Sequence, residues 1–252
     1  MRTLTLALCL ALSAPAAFAQ TGPASAPPVH HEDAALQAAV ASTTRPEADR
    51  ARDAHRRPYE ALTFWGLTPG ATVVEVQPGA NGWWTAILQP YAEATDGRYV
   101  PANDLAALEG VEAGSADLVL IARAFHNWAR QNRTDAILAA AFKALKPGGV
   151  LAVEQHRANE GLNVADTAPT GYVSESYVIQ AAQRAGFQLE ARSELNANPR
   201  DDRDHAFGVW TLPPVRQSAT RDGSNALTPE QRAEYDAVGE SDRMTLRFRK
   251  PE

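Results

Sequence analysis

Four polar side chains that could transfer protons or donate hydrogen bonds follow two short apolar runs in the second half of the chain. His126 and Asn127 follow the first run, and Glu154 and His156 lie at the end of the second. A neutral imidazole near pH 7 can accept a proton from a hydroxyl or an amine, as a general base does. We therefore predict these four residues as catalytic candidates. For His126, a structural role between its aromatic neighbours is an equal alternative.

A glycine-containing turn is the second feature that could carry chemistry. It spans residues 77–82 and follows an apolar run, 71–76, that includes Glu75. Gly79 and Gly82 leave room for a ligand to approach the backbone, and the first turn of a following helix offers free N–H donors. A ligand-binding loop and an ordinary strand-to-helix turn both fit this pattern.

Alternating strands and helices must position these residues. Apolar runs bounded by turns predict strands buried on both faces, and apolar stripes at helical spacing predict helices. The predicted strands are 71–76, 98–100, 116–121, 150–154, 187–195 and 207–212, and the predicted helices are 83–91, 134–145 and 174–185. This alternation predicts an α/β fold with a mostly parallel, Rossmann-like sheet and helices on both faces. Residues 243–249 alternate polar and apolar side chains and predict an exposed edge strand.

Three ordered segments resemble the class I S-adenosylmethionine-dependent methyltransferases. Residues 75–82 are similar to the family's first motif, residues 116–128 to its fourth strand with an aromatic and histidine tail, and residues 145–151 to the turn into its fifth strand. The resemblance implies a sheet with an antiparallel last strand, S-adenosylmethionine as cofactor, and methyl transfer to a small-molecule acceptor. It also implies the cofactor-binding residues. These are Glu75, Gln77, Pro78, Gly79, Ala80, Asn81, Gly82, Asn103, Asp104, Ala122 and Arg123.

The segments on either side of the domain resemble a narrower group of exported bacterial predicted methyltransferases. The similar residues lie in 45–58 before the domain, and in 209–214 and 239–244 after it. That group is defined by similarity of fold, and a fold does not by itself imply an activity.

The chain departs from the family pattern at the loop and after the second strand. Gln77 and Asn81 stand where the family usually has glycines, and Asp104, with Asn103 as its substitute, is the candidate for binding the ribose hydroxyls. Only about a dozen residues separate Asp104 from Ala116, which is too few for a helix and a parallel strand. We therefore expect the family's third strand to be missing. An exported binding or accessory protein that kept the fold without catalysis is the alternative function.

The N-terminus has the three parts of a secretory signal peptide. A basic start is followed by a short apolar run and by Ala17-Phe18-Ala19, so we expect cleavage after Ala19 and export to a Gram-negative periplasm, without a stable membrane anchor. Cys9 would leave with the signal, and the pair His30-His31 has no further ligand nearby, so no metal site is expected.

Composition limits the partners of the mature chain. The formal charge of the whole chain is −6, and loss of Arg2 with the signal makes it −7. This balance argues against nucleic acid as a partner and leaves a small molecule, because nucleic-acid binding needs clustered positive charge. The oligomeric state stays open.

The predicted organisation has four parts. They are a signal peptide (1–19), a flexible lead-in with a helical arm (20–60), a Rossmann-like domain (61–215), and a C-terminal helix with an edge strand (216–252). The charge pattern of the arm favours a solvated helix packed on the domain over a lid on the substrate.

Overall fold

The computed structural model of this protein describes residues 32–252. The predicted signal peptide, Cys9, His30 and His31 lie outside the described residues. Among the helices that are described, none is long and apolar enough to cross a membrane.

Strands and helices alternate along the described chain. The strands are β1 (Thr72–Val76), β2 (Arg98–Ala102), β3 (Ala116–Ala122), β4 (Leu145–His156), β5 (Gln188–Ser193), β6 (Ala206–Val209) and β7 (Arg243–Arg249). The helices are α1 (Ala34–Ala41), α2 (Glu47–Arg50), α3 (Asp53–Arg56), α4 (Pro58–Phe64), α5 (Thr85–Ala94), α6 (Leu105–Glu109), α7 (Phe125–Arg130), α8 (Thr134–Ala144), α9 (Val164–Thr167), α10 (Glu175–Arg184) and α11 (Pro229–Val238).

Six of these strands form one sheet in the order β2-β1-β3-β4-β7-β5. Strands β2, β1, β3 and β4 are parallel, and β7 runs antiparallel to both β4 and β5. The predicted α/β class, with a mostly parallel sheet and one antiparallel last strand, is confirmed.

Alternating side chains of the central strands fill two cores, one on each face of the sheet. Val74 and Val119 point into the core under α8 and α10, whereas Val73 and Leu118 point into the core under α1, α4 and α5. Because successive side chains of a strand point to opposite faces, a strand covered on both sides must be apolar at nearly every position.

The sheet ends at β2, and the expected loss of a third strand is confirmed for the described chain. Only the five-residue helix α6 and a short turn connect β2 to β3. β3 pairs with the side of β1 that faces away from β2. A segment this short cannot form a crossover helix and a further parallel strand.

The C-terminal strand does not lie at the edge, in contrast to the sequence-based prediction. β7 is inserted between β4 and β5, and five of its seven residues are buried. Acids from other elements pair with its arginines: Glu154 lies 3.0 Å from Arg243, and Glu190 contacts Arg247 and Arg249. Paired charges allow an alternating strand to lie inside a sheet.

Candidate functional site

The turn after β1 has the open backbone that its glycines predict. Gly79 has φ +77° and Gly82 has φ +51°, in the left-handed region that glycine tolerates. A Cβ atom built at Gly79 would meet no atom within 4 Å. The loop therefore leaves its backbone accessible beside the carboxyl end of β1.

Gln77 adopts the left-handed conformation too, with φ +51°. Its backbone N–H donates to the carbonyl of Ala102 at 2.8 Å, and its side-chain Oε1 accepts a hydrogen bond from the indole Nε1 of Trp128 at 3.0 Å. These two contacts hold a conformation that is unfavourable for a residue with a Cβ atom.

The first cavity, which we call the loop cavity, opens at this turn and has a volume of about 530 Å³. The ends of β1, β2 and β3 and the start of α7 surround it. It is lined by Gln77, Pro78, Gly79, Ala80, Asn103, Ala122, Arg123, Ala124 and Asn127. Seven of the eleven residues predicted to bind the cofactor line it, together with Asn127, which was predicted to be catalytic. Glu75, Asn81, Gly82 and Asp104 do not.

Glu75 lies under the loop and serves the sheet. Its side chain is 2% exposed, and its Oε2 accepts hydrogen bonds from the hydroxyls of Thr85 at 3.0 Å and Tyr99 at 2.7 Å. Burial raises the pKa of Glu75 above its usual value, against the effect of these two donors. The carboxylate ties β1 to α5 and β2, and it is turned away from the loop cavity.

Asp104 is engaged as the N-cap of α6. Its Oδ1 accepts a hydrogen bond from the backbone N–H of Ala107 at 2.8 Å. No carboxylate lines the loop cavity among the described residues, and Asn103 is the polar side chain at the end of β2.

A second cavity, which we call the histidine cavity, has a volume of about 230 Å³. Its walls come from α3 and the residue before it, from the ends of β3 and β4, from the start of α7, and from the segments around residues 209–215 and 240–241. It is lined by Arg52, Arg56, Arg123, His126, His156, Val209, Trp210, Pro213, Pro214, Val215, Glu240 and Ser241. Arg123 lines both cavities, so its side chain stands where they adjoin.

The two predicted catalytic histidines face each other in this cavity. Their ring centroids are 6.1 Å apart, and the ring of Trp210 lies 5.9 Å from that of His126. The Nδ1 atom of His156 lies 2.6 Å from the hydroxyl of Ser241, whereas the buried Nδ1 of His126 has no hydrogen-bond partner among the described residues.

Both imidazoles are neutral at physiological pH. Burial, followed by the charge of Arg130, lowers the pKa of His126 to about 4. Burial also holds the pKa of His156 well below its usual range, and His126 and Arg123 act in the same direction. Since an efficient general base has a pKa near the working pH, these histidines are better suited to accept a hydrogen bond and orient a ligand.

Glu154 lines neither cavity. Its side chain is fully buried, and one carboxylate oxygen lies 3.0 Å from the Nε of Arg243. The structure thus places Glu154 beside an arginine of β7 and outside both cavities, and its catalytic role stays a prediction.

The helical arm contributes residues to the site that the sequence-based interpretation missed. Arg52 immediately precedes α3 and Arg56 is its last residue, and both donate to the carboxylate of Glu240, at 2.7 and 3.0 Å. Arg56 is 4% exposed and lies over the ring of Trp83 at 4.6 Å. The sequence did contain a signal for these two arginines. Residues 45–58 and 239–244 resemble the same narrower group of proteins, and the two segments contact each other here.

Glu240 is the centre of a buried charge cluster. It contacts Arg52, Arg56 and Arg243, and its side chain is 5% exposed. Burial opposes ionisation of this carboxyl, but the charges of Arg243 and Arg52 outweigh burial and hold the pKa of Glu240 below its usual value.

The fold is similar to that of several solved structures. A SAM-dependent methyltransferase from Aquifex aeolicus is 17% identical, with 58% of this chain and 88% of that chain covered and a TM-score of 0.45. A SAM-dependent methyltransferase from Archaeoglobus fulgidus is 9% identical, with 79% and 98% covered and a TM-score of 0.45. The cyclopropane synthase MmaA2 from Mycobacterium tuberculosis is 19% identical, with 76% and 82% covered and a TM-score of 0.45.

This likeness concerns the fold alone. No protein-family model matches the chain, and no curated protein matches its sequence.

Proposed function

We propose that this chain is an S-adenosylmethionine-dependent methyltransferase that acts on a small-molecule acceptor. The observation that carries the proposal is the pair of adjoining cavities at the carboxyl ends of the parallel strands, with Arg123 in both. Ligands of open α/β sheets bind at this edge. One cavity would hold the cofactor and the other the acceptor.

The residues of the loop cavity fit the larger part of the cofactor. Its volume of about 530 Å³ lies within the usual range for small-molecule sites. The open backbone around Gly79 would contact the methionine part, and the amide of Asn103 would bind the ribose hydroxyls. Ala122 would leave space for the ligand at the end of β3.

The cofactor, when bound, supplies a methyl group on a positively charged sulfur. The acceptor would take this methyl group on one of its lone pairs and lose its proton to water. The chain itself holds the acceptor, excludes bulk water and orients it through the neutral rings of His126 and His156. Positioning alone can supply much of the rate of such a reaction.

Isothermal titration with S-adenosylmethionine and S-adenosylhomocysteine tests the cofactor assignment. We expect both to bind, and Asn103→Ala to weaken binding by about two- to tenfold, the usual contribution of one neutral hydrogen bond. Asn81→Ala is the matched control, because Asn81 belongs to the same loop but does not line the cavity. Absence of heat with either ligand would contradict the proposal.

The alternative is a binding protein that kept the fold and lost the cofactor. Two observations favour it. No carboxylate among residues 32–252 lines the loop cavity, and β2 forms the edge of the sheet beside that cavity because a third strand is missing. This alternative expects no binding of S-adenosylmethionine but retention of a ligand in the histidine cavity.

We also propose that the chain acts after export, with the signal peptide removed after Ala19. The basic start, apolar run and Ala-x-Ala end support this. Cell fractionation with N-terminal sequencing tests it, and recovery of the uncleaved chain in the cytoplasm would contradict it.

A further inference from the structure

Two guanidinium groups of the histidine cavity have N–H donors without an acceptor. The Nη1 atoms of Arg56 and Arg123 are buried and make no hydrogen bond to any described residue. The side chain of Arg56 is only 4% exposed, and its Nε is already bound to Glu240. Buried donors are normally satisfied, and a charged donor left alone is especially unfavourable.

The cavity and its surroundings carry an excess of positive charge. Three of the lining side chains are arginines, and Glu240 is the lining carboxylate. Arg243 behind the wall adds a fourth cation, and Glu154 a second anion. Asp49, at 3.9 Å from Arg52, partly offsets the charge at the rim. The histidines add no charge because both are neutral.

Another part of the cavity wall is apolar. Trp210 meets His126 edge to face, and Val209, Pro213 and Pro214 continue this surface. A cavity of about 230 Å³ has room for a compact molecule with one ring. Such a wall favours a flat apolar body whose polar end points to the arginines.

We propose that the acceptor is a small organic carboxylate, with its carboxylate bound by Arg56 and Arg123 and its apolar body against Trp210. A hydroxyl or amine on that body takes the methyl group and loses its proton to water. A planar carboxylate matches the two-pronged geometry of a guanidinium, and both arginines line the cavity. The assignment of this ligand as methyl acceptor rests on the proposed function, whereas the anion site itself does not.

Thermal unfolding of the purified exported chain with matched ligands tests the inference. Benzoate is compared with benzamide, which has the same shape without the charge, and with inorganic phosphate, each with and without saturating S-adenosylhomocysteine. We expect benzoate to raise the melting temperature, benzamide to have little effect, and the benzoate shift to persist when S-adenosylhomocysteine is bound.

Substitutions identify the residues. Arg123→Gln and Arg56→Gln should each weaken benzoate binding about ten- to hundredfold, the usual effect of removing a charged hydrogen-bond donor. Arg123→Gln should disturb the fold less than Arg56→Gln, because the Nη1 atom of Arg123 has no hydrogen-bond partner among the described residues, whereas Arg56 also loses its bond to Glu240. Arg184→Gln is the control, because Arg184 is 54% exposed on α10 and pairs with Asp135.

Each contrary outcome has a distinct meaning. Equal stabilisation by benzoate and benzamide, or none by either, would overturn the anion site. Stronger stabilisation by phosphate would overturn the carboxylate assignment, and loss of the benzoate effect with S-adenosylhomocysteine would assign the arginines to the cofactor's own carboxylate. Benzoate binding without any S-adenosylhomocysteine binding would leave the anion site standing and remove the proposed function.

Discussion

Gln77 provides the sharpest test of the loop conformation. A residue with a Cβ atom in the left-handed region costs about 1–2 kcal/mol. In this chain the hydrogen bond from Trp128, which is 1% exposed, offsets that cost. Replacing Gln77 by Ala keeps the backbone strain and leaves a buried indole N–H without an acceptor, so we expect a loss of about 2 kcal/mol in the free energy of unfolding.

Gln77→Gly separates strain from hydrogen bonding. Glycine loses the same hydrogen bond but relieves the strain, while its greater freedom in the unfolded state costs about 0.4–1 kcal/mol. We therefore expect the glycine variant to lose about 1 kcal/mol and to be more stable than the alanine variant by about 1 kcal/mol.

Urea denaturation followed by tryptophan fluorescence measures these differences. The control is the same substitution in a Trp128→Phe background, where the hydrogen bond is already absent. The loss of stability on Gln77→Ala should be smaller there by about 1 kcal/mol, which is the coupling between the two side chains. If Gln77→Ala proved as stable as Gln77→Gly, the left-handed strain at this position would be refuted. If the coupling were zero, the hydrogen bond would contribute nothing.

Two further predictions concern buried titratable side chains. Glu240→Gln should lower the free energy of unfolding by about 3 kcal/mol or more, because it leaves three arginines without their shared carboxylate, while Asp135→Asn in an exposed pair should cost less than about 1 kcal/mol by the same urea measurement. Because the folded-state pKa of His126 is about 4 against an ordinary value of 6.5, the unfolded chain binds the proton more strongly. The stability present above pH 6.5 should therefore fall by up to about 3 kcal/mol as the pH drops to about 4. The stability of the His126→Gln variant should fall less steeply between pH 6.5 and about 4. An unchanged dependence of stability on pH would contradict the burial of His126.

The parallel half of the sheet could be predicted from the sequence because its strands are covered on both faces. Residues 71–76, 116–121 and 150–154 are almost continuously apolar, and the structure places each of them in the centre of the sheet. The short connection after Asp104 also predicted the absence of a third strand, since chain length alone excludes a crossover there.

The placement of charged residues could not be predicted in the same way. Glu75 and Glu154 both lie near the ends of strands, where they resembled ligand-binding or catalytic acids. Their partners, Tyr99 and Arg243, are remote in sequence, and local patterns carry no information about such pairs. Asp104 is an exception, because an Asp before a short helical segment is a common N-cap.

The helical arm shows a similar limit. Its density of charge is typical of a solvated helix, yet Arg45 and Arg56 are almost fully buried. Arg45 makes two hydrogen bonds of 2.7 Å to Asp53, and Arg56 pairs with Glu240 from the other end of the chain. A charge pattern alone cannot distinguish an exposed side chain from one that is neutralised by a distant segment.

The division of the site between sheet and flanking segments bears on its function. The loop cavity is built at strand ends, on the side of the sheet where the third strand is absent from the described chain, and no carboxylate of the described residues lines it. The histidine cavity takes most of its wall from outside the parallel strands, with arginines from the arm and an apolar surface from residues 209–215. Arg123, held at φ +57° at the end of β3, connects the two. Under the proposed function, selection of the acceptor would therefore depend chiefly on the flanking segments. For that reason, binding of an organic anion and binding of the cofactor must be measured separately before activity is sought.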